Sequence, residues 1–174
     1  YLGFLFYTNI KIQKETIQET SQIIETKIPV KHNYTKIIQE KQPRIDPLTA
    51  NEISTAVEKY AEKFNLPPEL IICIIERESS FSPLAVSTAN CVGLMQINEK
   101  FHKEKLKKLK IQSNHLFYID HNIHIGCMIL REYYDKTKTI AGALDKYIGT
   151  NHLTYKYDIL SAFTDLMILK NNFQ

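Results

Sequence analysis

The apolar run LIICII at residues 70–75 constrains the fold more than any other stretch, because neighbouring elements must cover its side chains. The sequence NLPP before it breaks the chain, and Pro68 suits the first position of a helix. A buried strand would also fit the run alone, but Glu76, Arg77 and Glu78 follow directly and favour a continued helix. The pattern predicts a helix over residues 68–79.

The rest of the compact region also has the pattern of helices. Thr49 and Glu52 form a capping box, and apolar residues recur after them at helical spacing. Further helices are predicted over GLMQIN at 93–98, the lysine-rich segment 99–110, and residues 121–136, 139–148 and 155–170. With 174 residues, 44% of them hydrophobic, the chain can bury one core, and we predict a mainly α fold.

Three segments are expected along the chain. Residues 1–10 contain YLGFLFY, which is too short to span a bilayer and is typical of the tail of a signal peptide or membrane anchor. An isolated hydrophobic segment is the alternative. Residues 11–47 are polar and weakly periodic, so we predict a tether that ends near Pro43 and Pro47. Residues 48–174 form the predicted compact domain, without an internal repeat.

Charge and cysteine content exclude several classes of protein. The formal net charge of +3, from 22 basic and 19 acidic residues, is too small to indicate nucleic-acid binding. The cysteines Cys73, Cys91 and Cys127 are odd in number and form no CxxC pair. We therefore expect three buried, unpaired thiols and not a disulfide framework.

His121 and His124 lie three residues apart beside Asp120, a spacing that can form one corner of a metal site. No convincing further ligand accompanies them, so an ordinary helix surface is the favoured interpretation. We expect neither a metal nor a cofactor.

Glu76 and Glu78 differ in position around the predicted helix, although they are two residues apart. At about 100° per residue, Glu78 falls in the middle of the apolar arc, and Glu76 falls on the opposite side beside Glu69 and Cys73. The two carboxylates therefore cannot share a substrate. Glu76 is interpreted as a solvated carboxylate. The pKa of Glu78 should rise, which would suit a general acid, although a carboxylate buried against an arginine or backbone amides is the alternative.

The residues after Glu78 resemble a known signature. ESSFSPLAVSTANCVGLMQIN, residues 78–98, resembles the motif of the soluble lytic transglycosylase (SLT) domain, a lysozyme-like family that cleaves peptidoglycan. NIHIGCMIL at 122–130 and ALDKYIG at 143–149 resemble two later blocks of that family, in the same order. The resemblance covers roughly residues 50–170 and implies a helical domain like that of goose-type lysozyme. The stretch QIN and the lysine-rich stretch before LFYIDHNI most resemble specialised members that open the wall for secretion systems, pili or flagella.

The resemblance also implies roles for single residues. It makes Glu78 the catalytic acid and base, and it places Ser87, Met95, Gln96 and Tyr147 along a glycan groove. It assigns mainly structural roles to Ser79, Pro83, Gly93, Asn122 and Gly126. The chain departs from the family at Cys91, where alanine is usual, and at Ile148, where asparagine follows the tyrosine. The second departure puts details of substrate binding in doubt.

What the family does is implied for this chain as well. Glu78 would protonate the β-1,4 bond between MurNAc and GlcNAc and then deprotonate the MurNAc 6-hydroxyl, which gives a 1,6-anhydro sugar without metal or cofactor. Peptidoglycan would be the partner, the location the periplasm or cell envelope, and the active form a monomer. Two alternatives stay open: a hydrolase with a second carboxylate among Asp120, Glu132, Asp135 and Asp145, or an inactive wall-binding scaffold.

The lysine-rich segment 99–111 has two interpretations. It is predicted to be an amphipathic surface helix with Phe101, Leu106 and Leu109 facing inward. Attraction to acidic wall polymers or to the carboxylates of peptide stems is the functional alternative, and salt should weaken it.

Overall fold

The computed structural model of the protein describes residues 34–149 and 153–172, and these residues are mostly helical. The helices are α1 (Tyr34–Lys41), α2 (Pro47–Phe64), α3 (Pro68–Ser79), α4 (Glu99–Lys108), α5 (Ile119–Thr137), α6 (Ile140–Ile148) and α7 (Leu153–Asn172). Two short strands, β1 (Cys91–Val92) and β2 (Ile97–Asn98), pair antiparallel, and a 3₁₀ turn covers Ser113–Phe117. The predicted mainly α fold is confirmed.

Helix α3 forms the centre of the core, with the bounds that the sequence predicts. The apolar side chains of its residues 70–75 are all 2% exposed or less. Helix α2 packs against one side of α3 and helix α7 against another, while α5 contacts α2 and α6. Burial of this whole run is the main hydrophobic contribution of the helix to stability.

The predicted tether differs from the structure over residues 34–47. Tyr34 and Ile38, spaced i, i+4 on α1, are 3% and 0% exposed, so this helix is part of the packed unit that begins at Tyr34. Helix α1 also covers the side of α3 that the sequence pattern assigned to solvent, because the Tyr34 hydroxyl donates a 2.7 Å hydrogen bond to Glu69 Oε1. Residues 1–33, with the predicted anchor and the start of the tether, lie outside the described residues.

Two local predictions, the cap of α2 and a helix over GLMQIN, are wrong. Helix α2 begins at Pro47 and is capped by Asp46, whose Oδ2 accepts the backbone N–H of Thr49 at 2.9 Å, so Thr49 is not the cap. GLMQIN does not form a helix: Gly93 and Gln96 have φ angles of +76° and +48°, which fold the segment into turns that lead into β2.

The lysine-rich segment is a helix, α4, but only part of its inward face is as predicted. Leu106 is 3% exposed and Leu109 is half-buried, whereas Phe101 is 75% exposed. The helix is kinked at His102, where φ is −122° and ψ is 16°. At about 100° per residue, Phe101 also lies about 140° around the helix from Leu106, so the two side chains do not share one face.

The three cysteines form no disulfide bond among the described residues. Cys73, Cys91 and Cys127 are all free, as predicted; Cys73 and Cys127 are buried, and Cys91 is only half-buried. Across residues 34–149 and 153–172, no helix combines the length and the apolar character needed to cross a membrane.

Candidate active site

Glu78 lies in the last turn of α3, where the helix stops abruptly. Ser80 and Phe81 both have left-handed backbone angles, with φ of +50° and +62°, and the Phe81 ring is buried. The Ser79 hydroxyl donates a 3.1 Å hydrogen bond to the Ile75 carbonyl oxygen within the helix. Because the chain turns away immediately after Glu78, its carboxyl group stands at the end of a buried helix and the backbone does not continue past it.

The carboxyl group of Glu78 has an unusual protonation equilibrium. Burial raises its pKa to about 7, and a hydrogen-bonding interaction with Tyr155 and the positive charge of Arg77 oppose this rise without cancelling it. The direction is the one that the position of Glu78 in the apolar arc predicts. Near neutral pH a large fraction of Glu78 therefore carries the proton that a general acid needs.

Tyr155 of α7 is a neighbour of Glu78 that sequence reasoning missed. Its ring lies under the guanidinium of Arg77, with 4.6 Å between Cζ and the ring centroid, and Arg77 also pairs with Asp158 at 3.3 Å. These contacts hold α7 against the end of α3. Nothing in the local sequence indicates them, because they depend on how two helices distant along the chain pack together.

The loop between α3 and β2 carries Ser87 in a turn. The Ser87 N–H donates to the Cys91 carbonyl oxygen at 3.0 Å, and Ser87 Oγ accepts the Cys91 N–H at 3.1 Å. The hydroxyl proton of Ser87 stays available as a donor, since Oγ acts as the acceptor in this turn. Pro83 is half-buried in the preceding turn, in which the Ala85 N–H donates to the Ser82 carbonyl oxygen.

Tyr147 and Met95 join α6 to this loop. The Tyr147 hydroxyl donates a 2.8 Å hydrogen bond to the Met95 carbonyl oxygen. The Tyr147 pKa is raised, first by burial and then by the negative charge of Glu78, so the phenol lies within the electrostatic range of that carboxyl group. Met95 itself is fully buried against Gly126, which means that its side chain supports the loop from below and does not line an open surface.

Gln96 and Asn122 fix the shape of the loop from two sides. Gln96 Nε2 donates to the carbonyl oxygens of Gly93 at 2.9 Å and Ala85 at 3.3 Å. Asn122, 1% exposed on α5, accepts the Met95 N–H at 2.7 Å and donates to the carbonyl oxygens of Val92 and Leu116. Both the oxygen and the nitrogen of the buried Asn122 amide therefore have hydrogen-bond partners, as burial of a polar group requires.

Comparison with known protein families identifies the domain. The family model described as the transglycosylase SLT domain matches residues 55–157, which is more than half of the chain. The chain belongs to this family. The matched residues of the SLT domain include Glu78, the loop with Ser87 and Gln96, Tyr147 and Tyr155, but not helix α1.

Several curated relatives with matching segments share one name. Membrane-bound lytic murein transglycosylase C of Mannheimia succiniciproducens is 30% identical over 128 residues, which are 67% of this chain and 34% of the relative. Proteins of the same name from Actinobacillus pleuropneumoniae and Haemophilus influenzae are 46% identical over 48 residues and 38% identical over 58 residues, covering 28% and 29% of this chain and 13% and 16% of those relatives. The matches therefore span about a third or less of the relatives' length.

The other carboxylates of the SLT domain that were considered for chemistry are paired with cations. The sequence predicts that Glu76 is a solvated carboxylate. In the structure Glu76 is half-buried and pairs with Lys41 of α1 at 2.6 Å. The four candidates for a second catalytic carboxylate each have a basic partner: Asp120 with Lys59, Glu132 with Lys105 and Lys136, Asp135 with Arg131, and Asp145 with Lys156. Burial raises the pKa of Glu78, and the nearby charge of Arg77 opposes this rise without cancelling it.

The histidines beside Asp120 have packing contacts in the SLT domain. Asp120 accepts hydrogen bonds from Lys59 and Tyr60, each at 2.7 Å, and the His124 ring stacks on the Tyr60 ring at 4.6 Å. The described residues contain no cluster of three or more histidine, cysteine or acidic side chains suited to a metal. The Asp120–His124 segment thus joins α5 to α2.

Proposed function

We propose that this SLT domain is a lytic transglycosylase that cleaves the β-1,4 bond between MurNAc and GlcNAc in peptidoglycan. The observation that carries the proposal is the carboxyl group of Glu78 at the end of α3, whose pKa burial raises to about 7, so that both its protonated and its ionised forms are populated near neutral pH. Membership of the SLT family and the name shared by its relatives support the same activity.

Glu78 acts first as an acid and then as a base. Its proton passes to the glycosidic oxygen, the bond from that oxygen to the anomeric carbon breaks, and the GlcNAc side leaves with a free hydroxyl. The N-acetyl group of MurNAc stabilises the positive charge that develops at the anomeric carbon. Glu78, now ionised, takes the proton of the MurNAc 6-hydroxyl, whose oxygen closes the 1,6-anhydro ring. The atoms balance without water, and Glu78 regains its proton.

The tyrosines near Glu78 suit this cycle. Tyr155 and Arg77 favour the ionised form of Glu78 and therefore limit the rise of its pKa, so that both proton transfers are accessible near pH 7. We assign Tyr147 and Gln96 to the groove that holds the glycan, with the Ser87 hydroxyl as a donor to sugar oxygens. Met95 contributes through the loop that it supports. Ser79, Pro83, Gly93, Asn122 and Gly126 keep the roles in backbone shape that the resemblance implies.

The pairing of the other carboxylates favours a transglycosylase over a hydrolase. A hydrolytic glycosidase ordinarily uses a second carboxylate, either to activate water or as a nucleophile. The four candidates for that carboxylate are held in ion pairs, and each pair would have to break before its carboxylate could take part in hydrolysis. The candidates are Asp120, Glu132, Asp135 and Asp145. Glu78 as the single catalytic carboxylic acid fits a reaction in which the substrate's own 6-hydroxyl attacks the anomeric carbon.

We further propose that the protein acts in the cell envelope, because the relatives are named as membrane-bound murein enzymes. The N-terminal anchor over residues 1–10, the monomeric state and service to a secretion system, pilus or flagellum remain predictions.

Replacement of Glu78 by Gln tests the proposal. The amide cannot protonate the glycosidic oxygen, so release of soluble fragments from purified peptidoglycan should fall by roughly 10² to 10⁴-fold. Glu76→Gln is the matched control; it removes a carboxylate two residues away and should retain most of the activity. Lysis by Glu78→Gln at the wild-type rate would overturn the assignment. Retained sugar binding without any cleavage by the wild type would identify the inactive scaffold instead.

A further inference from the structure

The segment that contains α4 carries more positive charge than the chain as a whole. Residues 99–110 contain six lysines and two glutamates, a net charge of +4, while the complete chain has a net charge of +3. Lys103, Lys107 and Lys108 are exposed on this helix. Within residues 34–149 and 153–172, Lys105 is the lysine of α4 that forms an ion pair, with Glu132 at 2.8 Å. We call Lys100, Lys103, Lys107, Lys108 and Lys110 the lysine face.

The lysine face begins at the edge of the proposed glycan groove. Strand β2 follows Gln96 directly and leads into α4 through Asn98. Asn98 accepts the Lys100 N–H at 3.0 Å with its Oδ1 and donates to the Ala89 carbonyl oxygen at 2.8 Å with its Nδ2. The start of α4 is therefore tied to the loop that contains Ser87, and the two elements hold a fixed relative position.

A hollow of about 290 Å³ lies at this junction. Its lining combines the polar or charged residues Asn90, Asn98, Glu99, Lys100 and Ser113 with the apolar residues Ala89, Val92 and Leu116. Lys100 thus belongs both to the hollow and to the lysine face. The hollow therefore adjoins both the loop that contains Ser87, through Ala89 and Asn90, and the lysine face, through Lys100.

We infer that the lysine face binds the acidic peptide stems of the peptidoglycan strand whose glycan occupies the groove. This inference rests on the proposed function, because it identifies which form of that substrate the enzyme selects. The stems project from the MurNAc residues and carry free carboxylates, and they are the anionic groups closest to a glycan bound beside Ser87. Charge of the opposite sign on the protein would raise the local concentration of this substrate.

An anionic membrane surface fits the same face less well. Helices that bind membranes insert a broad apolar face into the lipid. In α4 the apolar face points inward with Leu106 and Leu109, and Phe101 is its exposed large apolar residue. Charge without an exposed apolar face favours a hydrated polyanion over a bilayer.

The test compares two substrates and two charge-matched triple variants of the full chain. The first variant, K103Q/K107Q/K108Q, removes three charges from the lysine face. The second, K36Q/K63Q/K138Q, removes three exposed charges from other elements, so both variants lower the formal net charge from +3 to 0. The substrates are intact peptidoglycan and the same glycan after an amidase has removed its peptide stems.

On intact peptidoglycan, kcat/KM of the α4 variant should fall roughly ten-fold at low salt, and added NaCl should reduce the difference. On the stripped glycan the α4 variant should equal the wild type, and the control variant should equal it on both substrates. Equal loss on the two substrates, no loss on either, or the same loss in the control variant would overturn the inference.

Retention on beads that carry one or the other material measures docking without cleavage, so the result does not depend on the proposed activity. Beads with intact peptidoglycan should retain several-fold more wild type than α4 variant, and beads with the stripped glycan should retain the two equally. If no protein cleaves either material, the proposed function fails while this difference still supports the docking surface. Loss of binding by the α4 variant to phosphatidylglycerol vesicles but not to intact peptidoglycan would assign the face to a membrane and contradict the inference.

Discussion

The Tyr147 hydroxyl donates a 2.8 Å hydrogen bond to the Met95 carbonyl oxygen, across 52 residues of sequence. This contact joins α6 to the loop that follows Gly93, beside the carboxyl group of Glu78. The Asn122 amide holds the N–H of the same Met95 at 2.7 Å. Both polar groups of one buried residue are thus held by different helices, which makes Met95 the point where the site is fixed to the core.

Replacement of Tyr147 by Phe should destabilise the domain by about 1 to 2 kcal/mol, because the Met95 carbonyl oxygen would lose its partner in a buried position. Chemical denaturation of both proteins measures the difference. Tyr133→Phe is the control, since the Tyr133 ring packs edge-on against Tyr147 at 6.5 Å and keeps that contact without its hydroxyl. Equal stability of Tyr147→Phe and wild type would show that this hydrogen bond contributes nothing.

Gly93→Ala and Asn122→Ala should be non-additive. Gly93 has a φ of +76°, and a Cβ there would lie 2.2 Å from Asn122 Nδ2 and 2.6 Å from the Leu116 carbonyl oxygen. We expect about 2 to 4 kcal/mol of destabilisation from each change alone. Gly93→Ala should cost less in the Asn122→Ala background, because one of the two clashes is gone. A double-mutant cycle of unfolding free energies that shows simple additivity would contradict this coupling.

The stability of the protein should depend on pH through Glu78. Its pKa is raised in the folded state from 4.5 to about 7, so the folded state binds this proton more tightly than the unfolded chain does. The resulting stabilisation is fully present below pH 4.5 and is lost as the pH rises through 7. Glu78→Gln, which cannot ionise, should therefore become more stable than wild type between pH 5 and 8.5, by up to roughly 2 to 3 kcal/mol. A constant difference across this range would be inconsistent with the raised pKa.

Activity should fall as the pH rises above about 7, because the acid step needs protonated Glu78. In Tyr155→Phe the interaction that lowers the Glu78 pKa is lost, so the alkaline limb of the pH–kcat/KM profile should move to higher pH. Tyr157→Phe, on the same helix and 64% exposed, is the control and should leave the profile in place. Movement of the limb to lower pH in Tyr155→Phe would mean that Tyr155 has another role.

How far the sequence could predict the molecule is clearest around α3. Its bounds followed from Pro68 and the apolar run, and the position of Glu78 followed from helical periodicity. The burial of Glu69 and Cys73 did not, because the covering residues Tyr34 and Ile38 come from a polar segment whose packing is decided by tertiary contacts. The role of Tyr155 could not be predicted from the sequence either, because Tyr155 lies near Glu78 only through the packing of α7 on α3.

Backbone geometry explains one of the remaining differences. The segment after Gly93 has apolar residues at a spacing that suits a helix, but positive φ angles at Gly93 and Gln96 make it a sequence of turns. These turns depend on single backbone angles, which a pattern of apolar and polar residues does not encode. The exposure of Phe101 follows from helical periodicity itself, because at about 100° per residue Phe101 lies about 140° around α4 from the buried Leu106.

If the single carboxylic acid of Glu78 cleaves the glycan without adding water, the mass of the products must show it. Purified peptidoglycan should be digested in H₂¹⁸O and the released muropeptides analysed by mass spectrometry. We expect 1,6-anhydroMurNAc ends that are one water lighter than hydrolysed ends and contain no ¹⁸O, and we expect none from Glu78→Gln. Reducing MurNAc ends labelled with ¹⁸O would identify a hydrolase and rule out the transglycosylase reaction.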